Sequence, residues 1–510
     1  MTLGTRCLGA FALTLLLTGC PLTDHYELMS DPTATAGTSN AGAGASGEAA
    51  LMAGGAGATA GTGANAGTGA TAGTGANAGT GGMPVLSGAG GMPAADGGTA
   101  GMLAVAGMSM GGVGMGGTAG AGTAGASAGA AGCSNTQNDA QNCGACGVVC
   151  HVGRMCLSGA CQAGWVPVKA TSVSPRTRAA AVAMDKRVFI WGGLDDQGNA
   201  LADGGIYDPQ FDSWKVLPKV PGSPSARITA SAVWTGTVVV VFGGTDSAAQ
   251  NVYRDGGIYD PVANAWSVLP APMTISRRNA PLAYWDGTRA VFWGGTALNG
   301  AAVPGVDRFD LSAWTTAAGG GDPGALLYPA FGVAGPVMYL QGGQLNGTRQ
   351  DKGFAYNSSL DKWSTLPKSN LTPRSSAFGV WDNPRFMVWG GRDDNGLRND
   401  GKYLDGTTWT AISGANAPTP RMIAFRRSGW SFQVSPGRFA VIGGQSSSAA
   451  TLSTDGGIYT IATSQWSAIS PWSVDDLHEY GMGVWTGEEF VLWGGRDANG
   501  STATGQRWAP

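Results

Sequence analysis

Val238-Val239-Val240-Val241-Phe242-Gly243-Gly244 is an apolar run closed by two glycines. The same element returns at Gly192-Gly193, Gly294-Gly295, Gly342-Gly343, Gly390-Gly391, Gly443-Gly444 and Gly494-Gly495. The first glycines of successive copies are 51, 51, 48, 48, 53 and 51 residues apart. A steady period of this size marks a propeller or another repeat array, because each unit can bury its apolar face only against its neighbours.

Around each double glycine stand three other parts in fixed order. In the first copy, Ala179 to Met184 is a small-residue strand and Arg187 to Trp191 an apolar strand ending in the glycines. Gly204-Gly205-Ile206-Tyr207-Asp208 is a third strand, and Trp214 to Leu217 a fourth, followed by Pro218. Short β-rich runs bounded by Gly, Pro and Asp are strand and turn signals. Third-strand copies begin at Gly256, Gly305, Gly353, Gly401 and Gly456, and the fourth-strand tryptophans are Trp214, Trp266, Trp314, Trp363, Trp409 and Trp466. The double glycine, the following Tyr and the later Trp resemble the Kelch repeat of the galactose oxidase-like central domain. That resemblance implies four-stranded propeller blades over residues 165 to 510. Copies three and four depart most, with Val306-Asp307-Arg308-Phe309 in one and Leu340-Gln341 in the other.

The seventh copy stops at Gly505-Gln506-Arg507-Trp508-Ala509-Pro510, inside its third strand. Trp165-Val166-Pro167-Val168 looks like the fourth strand Trp266-Ser267-Val268-Leu269 but has no strands before it. The N-terminal strand is therefore expected to complete the last blade and close a ring of seven, which removes the open sheet edges. The recurring Trp and Tyr are expected to fill the wedge between blades. Trp234, Trp285, Trp381 and Trp485 share one position at the end of the first strand and read as packing residues too.

With strands labelled a to d, the a–b connections are mostly tight, whereas the b–c and d–a loops are longer. Long loops on a rigid scaffold carry function, so the b–c/d–a face is the expected binding face. Sixteen residues before the double glycine stand Arg176, Arg227, Arg278, Leu326, Arg374 and His478, and Arg421 fits the sixth copy once an insertion is allowed for. Two readings of this ring stay open. The cations could receive an anionic ligand such as a carboxylated sugar, or each arginine could lock its blade against an Asp or a backbone carbonyl. Asp195, Asp246, Asp393 and Asp497, two residues past the glycines, are the expected acidic neighbours.

Galactose oxidase and the bacterial sialic acid mutarotases are enzymes of the same resemblance. Here the propeller has no cysteine, and His478 is its one histidine, so a copper–cysteinyl-tyrosine site is excluded. His478-Glu479 is the one candidate acid–base pair. Asp393 to Gly396 and Asp497 to Gly500 hint at calcium, but turn chemistry accounts for them more simply. No cofactor or metal is expected.

Ahead of the repeats lie three further segments. Arg6, the apolar run Leu8 to Leu17 and Thr18-Gly19-Cys20 form a signal peptide. Leu17-Thr18-Gly19-Cys20 resembles the lipobox of bacterial lipoproteins, which implies a lipidated Cys20. Pro21 at the next position favours the outer membrane. Residues 21 to 132 are Gly, Ala, Thr and Ser with scattered Met, too poor in bulky apolar side chains to build a core. As a disordered coil they would span about 55–65 Å root-mean-square. Cys133, Cys143, Cys146, Cys150, Cys156 and Cys161 follow. Their Asn142-Cys143-Gly144-Ala145-Cys146 core resembles the motif of stigma-specific-like small domains. Six thiols in an exported segment read as disulfides, with zinc at Cys143, Cys146 and His151 as the alternative.

The sequence thus predicts an all-β chain: a seven-bladed Kelch-type propeller at 163–510, closed by an N-terminal strand. Before it come a signal peptide (1–19), a lipidated and disordered Gly/Ala/Thr-rich linker (20–132) and a cysteine-rich module (133–162). The expected function is binding a protein or glycan from a lipid-anchored, monomeric propeller in the bacterial cell envelope. A sugar-acid mutarotase or epimerase and a structural envelope protein are the alternatives. A net charge of −3 gives no reason to expect nucleic acid.

Overall fold

Strands joined by tight turns pair with their neighbours in sequence, and here the pairing gives seven four-stranded antiparallel sheets. The computed structural model describes residues 135–317, 320–423, 429–446, 452–472 and 478–510. The signal peptide, Cys20, the glycine-rich segment and Cys133 lie outside the described residues. Blade one runs Ala180–Met184, Arg187–Trp191, Gly204–Asp208 and Ser213–Val216, within a residue or two of the expected strands. Blade three is the irregular one: its third strand is Val306–Phe309, with Gly305 left outside in a left-handed conformation.

Blade seven contains Met482–Trp485, Phe490–Trp493 and Gly505–Ala509. Its outer strand is Gly164–Pro167, which pairs Trp165 with Trp508 and Val166 with Arg507. The two ends of the propeller are therefore hydrogen-bonded into one sheet, as the truncated seventh repeat requires.

The b strands are buried along most of their length, and Val239 to Phe242 are inaccessible to solvent. That burial explains why this strand is a continuous apolar run rather than an alternating one. Both glycines that end it have positive φ, 73° at Gly243 and 90° at Gly244. A Cβ on either would lie 2.5 Å from a carbonyl oxygen, of Arg278 or of Ile228. The turn therefore excludes side chains by both conformation and space.

The repeated tryptophans join blades in two ways. Their rings pack on the b strand of the preceding blade: Trp266 on Trp191 at 5.7 Å, Trp466 on Trp389 at 5.2 Å and Trp214 on Trp493 at 4.9 Å between centroids. Except in Trp266 and Trp363, their indole N–H groups also donate to a carbonyl just past the preceding blade's d strand. Trp314 reaches Pro270 at 2.6 Å, Trp409 reaches Pro367 at 2.8 Å, and Trp466 reaches Ser413 at 2.8 Å. Trp165 does the same to Ser470 at 2.7 Å, so the borrowed strand docks as a native one would. Trp381 and Trp485 are half-buried and stacked on Tyr339 and Phe432 of the neighbouring blades, which is a packing role.

The longer b–c loops are not irregular throughout. Three fold into small hairpins: Gln344–Leu345 with Thr348–Arg349, Arg392–Asp393 with Gly396–Leu397, and Arg496–Asp497 with Gly500–Ser501. In the cysteine module, Cys143 is bridged to Cys156 and Cys150 to Cys161. Cys146 is disulfide-bonded as well. The sulfurs are committed to one another, which decides against zinc.

Trp165→Ala is expected to lower stability by about 2 kcal/mol, less than a fully buried tryptophan would cost because this ring is half-exposed. Denaturant unfolding of the full chain measures it, and an unchanged midpoint would show that the borrowed strand is dispensable for closure.

Candidate functional site

The five ring arginines, Arg176, Arg227, Arg278, Arg374 and Arg421, all lie in the d–a connection ahead of their blade's first strand, and they are buried to within 1% of full. A guanidinium has five N–H donors in a fixed fork. In Arg176 four of them go to Ser174 O and Oγ, Gly192 O and Asp203 O at 2.8–3.0 Å, and the guanidinium pairs with Asp203 Oδ1 at 2.9 Å. The same set recurs at Arg227, Arg374 and Arg421, each with one Nη1 on the carbonyl of its own blade's first glycine at 3.1 Å. Arg278 differs: its Nε donates to fully buried Asp307 at 2.9 Å in place of a main-chain carbonyl, and its Nη2 donates to Pro304 O and Gly305 O at 3.0 Å in place of a hydroxyl. Burial pulls the Arg176, Arg227, Arg278 and Arg421 pKa values down, and the paired carboxylates oppose that.

The main chain of the same residues links blades. The carbonyl of Arg227 accepts from Gly193 N of the blade before it at 2.9 Å, and Arg278, Arg374, Arg421 and Arg176 do likewise for Gly244, Gly343, Gly391 and Gly495. One residue thus ties two double glycines together. The expected anion-receiving ring is corrected accordingly: these arginines are inter-blade locks with no donor turned to the channel.

His478 takes the arginine's place in blade seven. It is fully buried, and its Nδ1 lies 2.5 Å from Gly494 O, the carbonyl an arginine would grip. Glu479 is half-buried in a backbone bridge with Arg496. His478 therefore serves blade packing, and its buried ring is not a solvent-reachable acid or base. In blade four, Leu326 is packed in the core and Gln341 carries the polar link, donating to Asp351 O at 2.8 Å and Ser369 Oγ at 3.1 Å.

The acidic partners are not the ones the alignment suggested. Asp195, Asp246, Asp393 and Asp497 accept from turn residues instead, for example Asn199 N at 2.8 Å and Asn395 N at 2.9 Å. The carboxylates that meet the ring are Asp203, Asp255, Asp400 and Asp455, each directly before a third-strand glycine, together with Asp307. Two repeated signals could have revealed this: Asp before the third-strand glycine, and a Ser or Thr two residues before the arginine, at Ser174, Ser225, Thr372 and Thr419.

A second charged cluster had no periodic signal. Glu489, in the a–b turn of blade seven, is 2% exposed and is gripped by Arg154 of the cysteine module and by Arg507 of the closing blade at 3.1 Å. His151 Nδ1 lies 3.4 Å away. Burial raises the Glu489 pKa, but His151, Arg154 and Arg507 outweigh it and take the carboxyl from 4.5 down to about 2. Arg507 also reaches Pro209 O at 2.8 Å and Val152 O, and Val152 N donates to Gln210 O at 3.2 Å. The module is thereby seated on the a–b/c–d face, over the junction of blades seven and one.

That face also carries much of the exposed apolar surface. Phe211, Val262, Leu311 and Leu360 occupy the c–d turn tips of blades one to four, with Val262 93% exposed. Val148, Val149, Val152, Met155 and Leu157 of the module are exposed as well. The b–c/d–a face shows Val220, Met273, Leu298 and Tyr328.

Fold and landmarks together define a seven-bladed β-propeller built of Kelch repeats. Residues 159–318 match the model of the KLHDC2/KLHL20/DRC7 Kelch-repeats domain. The chain is similar to the F-box/kelch-repeat protein SKIP20 of Arabidopsis thaliana, 37% identical over 84 residues, covering 16% of this chain and 20% of that one. It is also similar to beta-scruin of Limulus polyphemus, 30% identical over 154 residues, covering 28% and 16%. Kelch-like protein 25 of Xenopus tropicalis is 24% identical over 229 residues, covering 44% and 38%. The match thus spans a fifth or less of the first two relatives' length. A solved structure titled "Structure of YjhT" aligns with a TM-score of 0.43 at 17% identity, covering 59% of this chain and 99% of that one.

Arg227→Met leaves the buried carbonyls of Gly243 and Asp255 without their donor, so it is expected to cost about 2–3 kcal/mol. Binding to acidic glycans, tested by titration, should not change; weakened binding with intact stability would restore the receptor reading. A second expectation concerns acid. Glu489 has a folded pKa below its ordinary 4.5, so its stabilisation is complete above that pH and is lost as pH falls through about 2. Glu489→Gln should flatten that limb of the stability–pH curve, and an unaltered curve would mean the cluster contributes nothing.

Proposed function

We propose that this chain is a protein-binding Kelch propeller displayed from the bacterial cell envelope on a lipid-anchored tether. Kelch propellers commonly bind proteins. The observation that carries the reading is the exposed apolar side chain at the c–d tip of each of blades one to four, with the exposed apolar residues of the cysteine module joined to the first tip by Val152 N and Gln210 O. Exposed apolar surface rimmed by polar residues marks interaction sites. Asp208, Asp260 and Asp310 stand at the base of three of these turns and fix them by accepting backbone N–H groups. The docking face is accordingly the a–b/c–d face, in place of the b–c/d–a face that loop length favoured. The signal and Leu17-Thr18-Gly19-Cys20 support export and acylation, and Pro21 supports the outer membrane.

A photo-crosslinking residue placed at Val262 or Leu360 in cells should give adducts that disappear on Val262→Lys or Leu360→Lys substitution at the neighbouring tip. Adducts confined to probes at Met273 or Leu298 would return the docking face to the opposite side. Cys20→Ala should abolish labelling by a palmitate analogue and release the protein from membranes. A mature protein that is unlabelled and begins away from Cys20 would refute the anchor.

A further inference from the structure

We propose that the Cys150–Cys161 bridge is a thiol-sensitive clasp on the ring's closing seam. The bridge encloses the segment that carries Val152 and Arg154, and it ends three residues before the closing strand Gly164–Pro167. Arg154 is 5% exposed and connects four pieces of the seam. It donates to Gln162 O at 2.8 Å and to Gly164 O at 3.1 Å, at the entry to the closing strand. It pairs with Glu489 of blade seven and reaches Arg507 O, in the strand that the closing strand lies against, at 3.5 Å. The guanidinium therefore holds the borrowed strand to the blade it completes, and the covalent loop holds the guanidinium in place.

The two bridges of this loop are unequally accessible. Cys143, Cys150 and Cys156 are buried, whereas Cys161 lies in the two-residue strand Ala160–Cys161, both residues of which are exposed. Exposed Cys146 belongs to a separate disulfide; of these two bridges a dithiol reductant meets the Cys161 side first. Its thiolate attacks Cys161 Sγ, the Cys150–Cys161 bond breaks, and Cys150 leaves as a thiolate that takes up a proton. The reductant's second thiol then displaces Cys161 as a thiol, and the dithiol is oxidised to its own disulfide. Two electrons and two protons pass to the protein. The loop then gains the freedom that the bridge had removed, and Arg154 is no longer fixed over the seam.

The test uses the full oxidised chain, titrated with dithiothreitol, with alkylation mapping to identify the open bridge and amide hydrogen exchange to read the strands. Cys150 and Cys161 should be alkylated before Cys143 and Cys156. As they open, exchange in Gly164–Pro167 and Gly505–Ala509 should rise about tenfold while Ala290–Trp293 in blade three keeps its protection. Arg154→Gln with its bridges intact should show the faster exchange without reductant and no further response to it. Closing strands that stay protected after Cys150 and Cys161 are alkylated would overturn the proposal. So would a rise that is equal in blade three, or prior opening of Cys143–Cys156.

Discussion

A ring of sheets is stable only if its last sheet finds its first, and in this chain that meeting falls to a four-residue strand more than three hundred residues from its partner. Without it, Gly505–Ala509 would present a bare edge, with backbone donors and acceptors open to pairing with another chain. The strand is short, so backbone bonds alone would hold it weakly. The structure adds the two contacts that most other outer strands have: Trp165 packs edge-on against Trp472 at 5.3 Å and bonds Ser470. It then adds a third device peculiar to this seam, the buried Arg154–Glu489–Arg507 cluster. Removing charges from water is costly, and such a group persists only when its hydrogen bonds are nearly complete. Here the backbone carbonyls of Gln162, Gly164, Pro209 and Val152 supply most of them, and Arg507 Nε alone of the two guanidiniums' Nε groups is left without an acceptor.

Elsewhere the blades are held by repetition. Tryptophan serves the outer rim because it offers a large ring and one N–H, and each is used toward the preceding blade. Arginine serves the inner rim because its fork can bond two carbonyls and a carboxylate at once. The double glycine serves both, since only a residue without Cβ lets the neighbouring carbonyls come so close. The three residue types are interdependent: the glycine turn exposes the carbonyl that the arginine grips, and the arginine's own carbonyl receives the N–H of the preceding blade's second glycine. This interdependence explains why blade four departs in two places at once. Leu326 removes the arginine, and Gln341, in the b-strand position where other blades carry Trp191 or Trp389, supplies an amide donor instead.

The architecture was legible because its signals are periodic. Strand order, blade number and closure all follow from landmarks that recur in register, and a single irregular copy such as blade three does not disturb the others. Side-chain direction was less legible. Spacing placed Arg176, Arg227, Arg278, Arg374 and Arg421 at one level of the ring, but spacing does not say whether a guanidinium turns to the channel or back into its blade. The deciding information lay in the Ser or Thr two residues earlier and the Asp before the third-strand glycine, which together supply acceptors that draw the fork inward. Glu489 was illegible for another reason. Its partners Arg154 and Arg507 are brought to it only by ring closure, and neither belongs to a repeated position.

The same logic bears on where a partner can dock. Once the arginines are consumed and the b–c loops are partly folded into hairpins, the inner rim on that side is a structural surface with its polar groups already paired. The c–d tips are the reverse case. The side chains of Asp208, Asp260 and Asn357 are occupied in fixing the turns, so Phe211, Val262 and Leu360 are held out by rigid backbone and stay exposed among the described residues. Burying such side chains against a partner recovers solvent-exposed apolar area with little ordering cost, because the turns that hold them are already fixed. A rigid apolar tip is therefore a more economical contact than a long loop, and exposure outranks loop length in choosing the docking face.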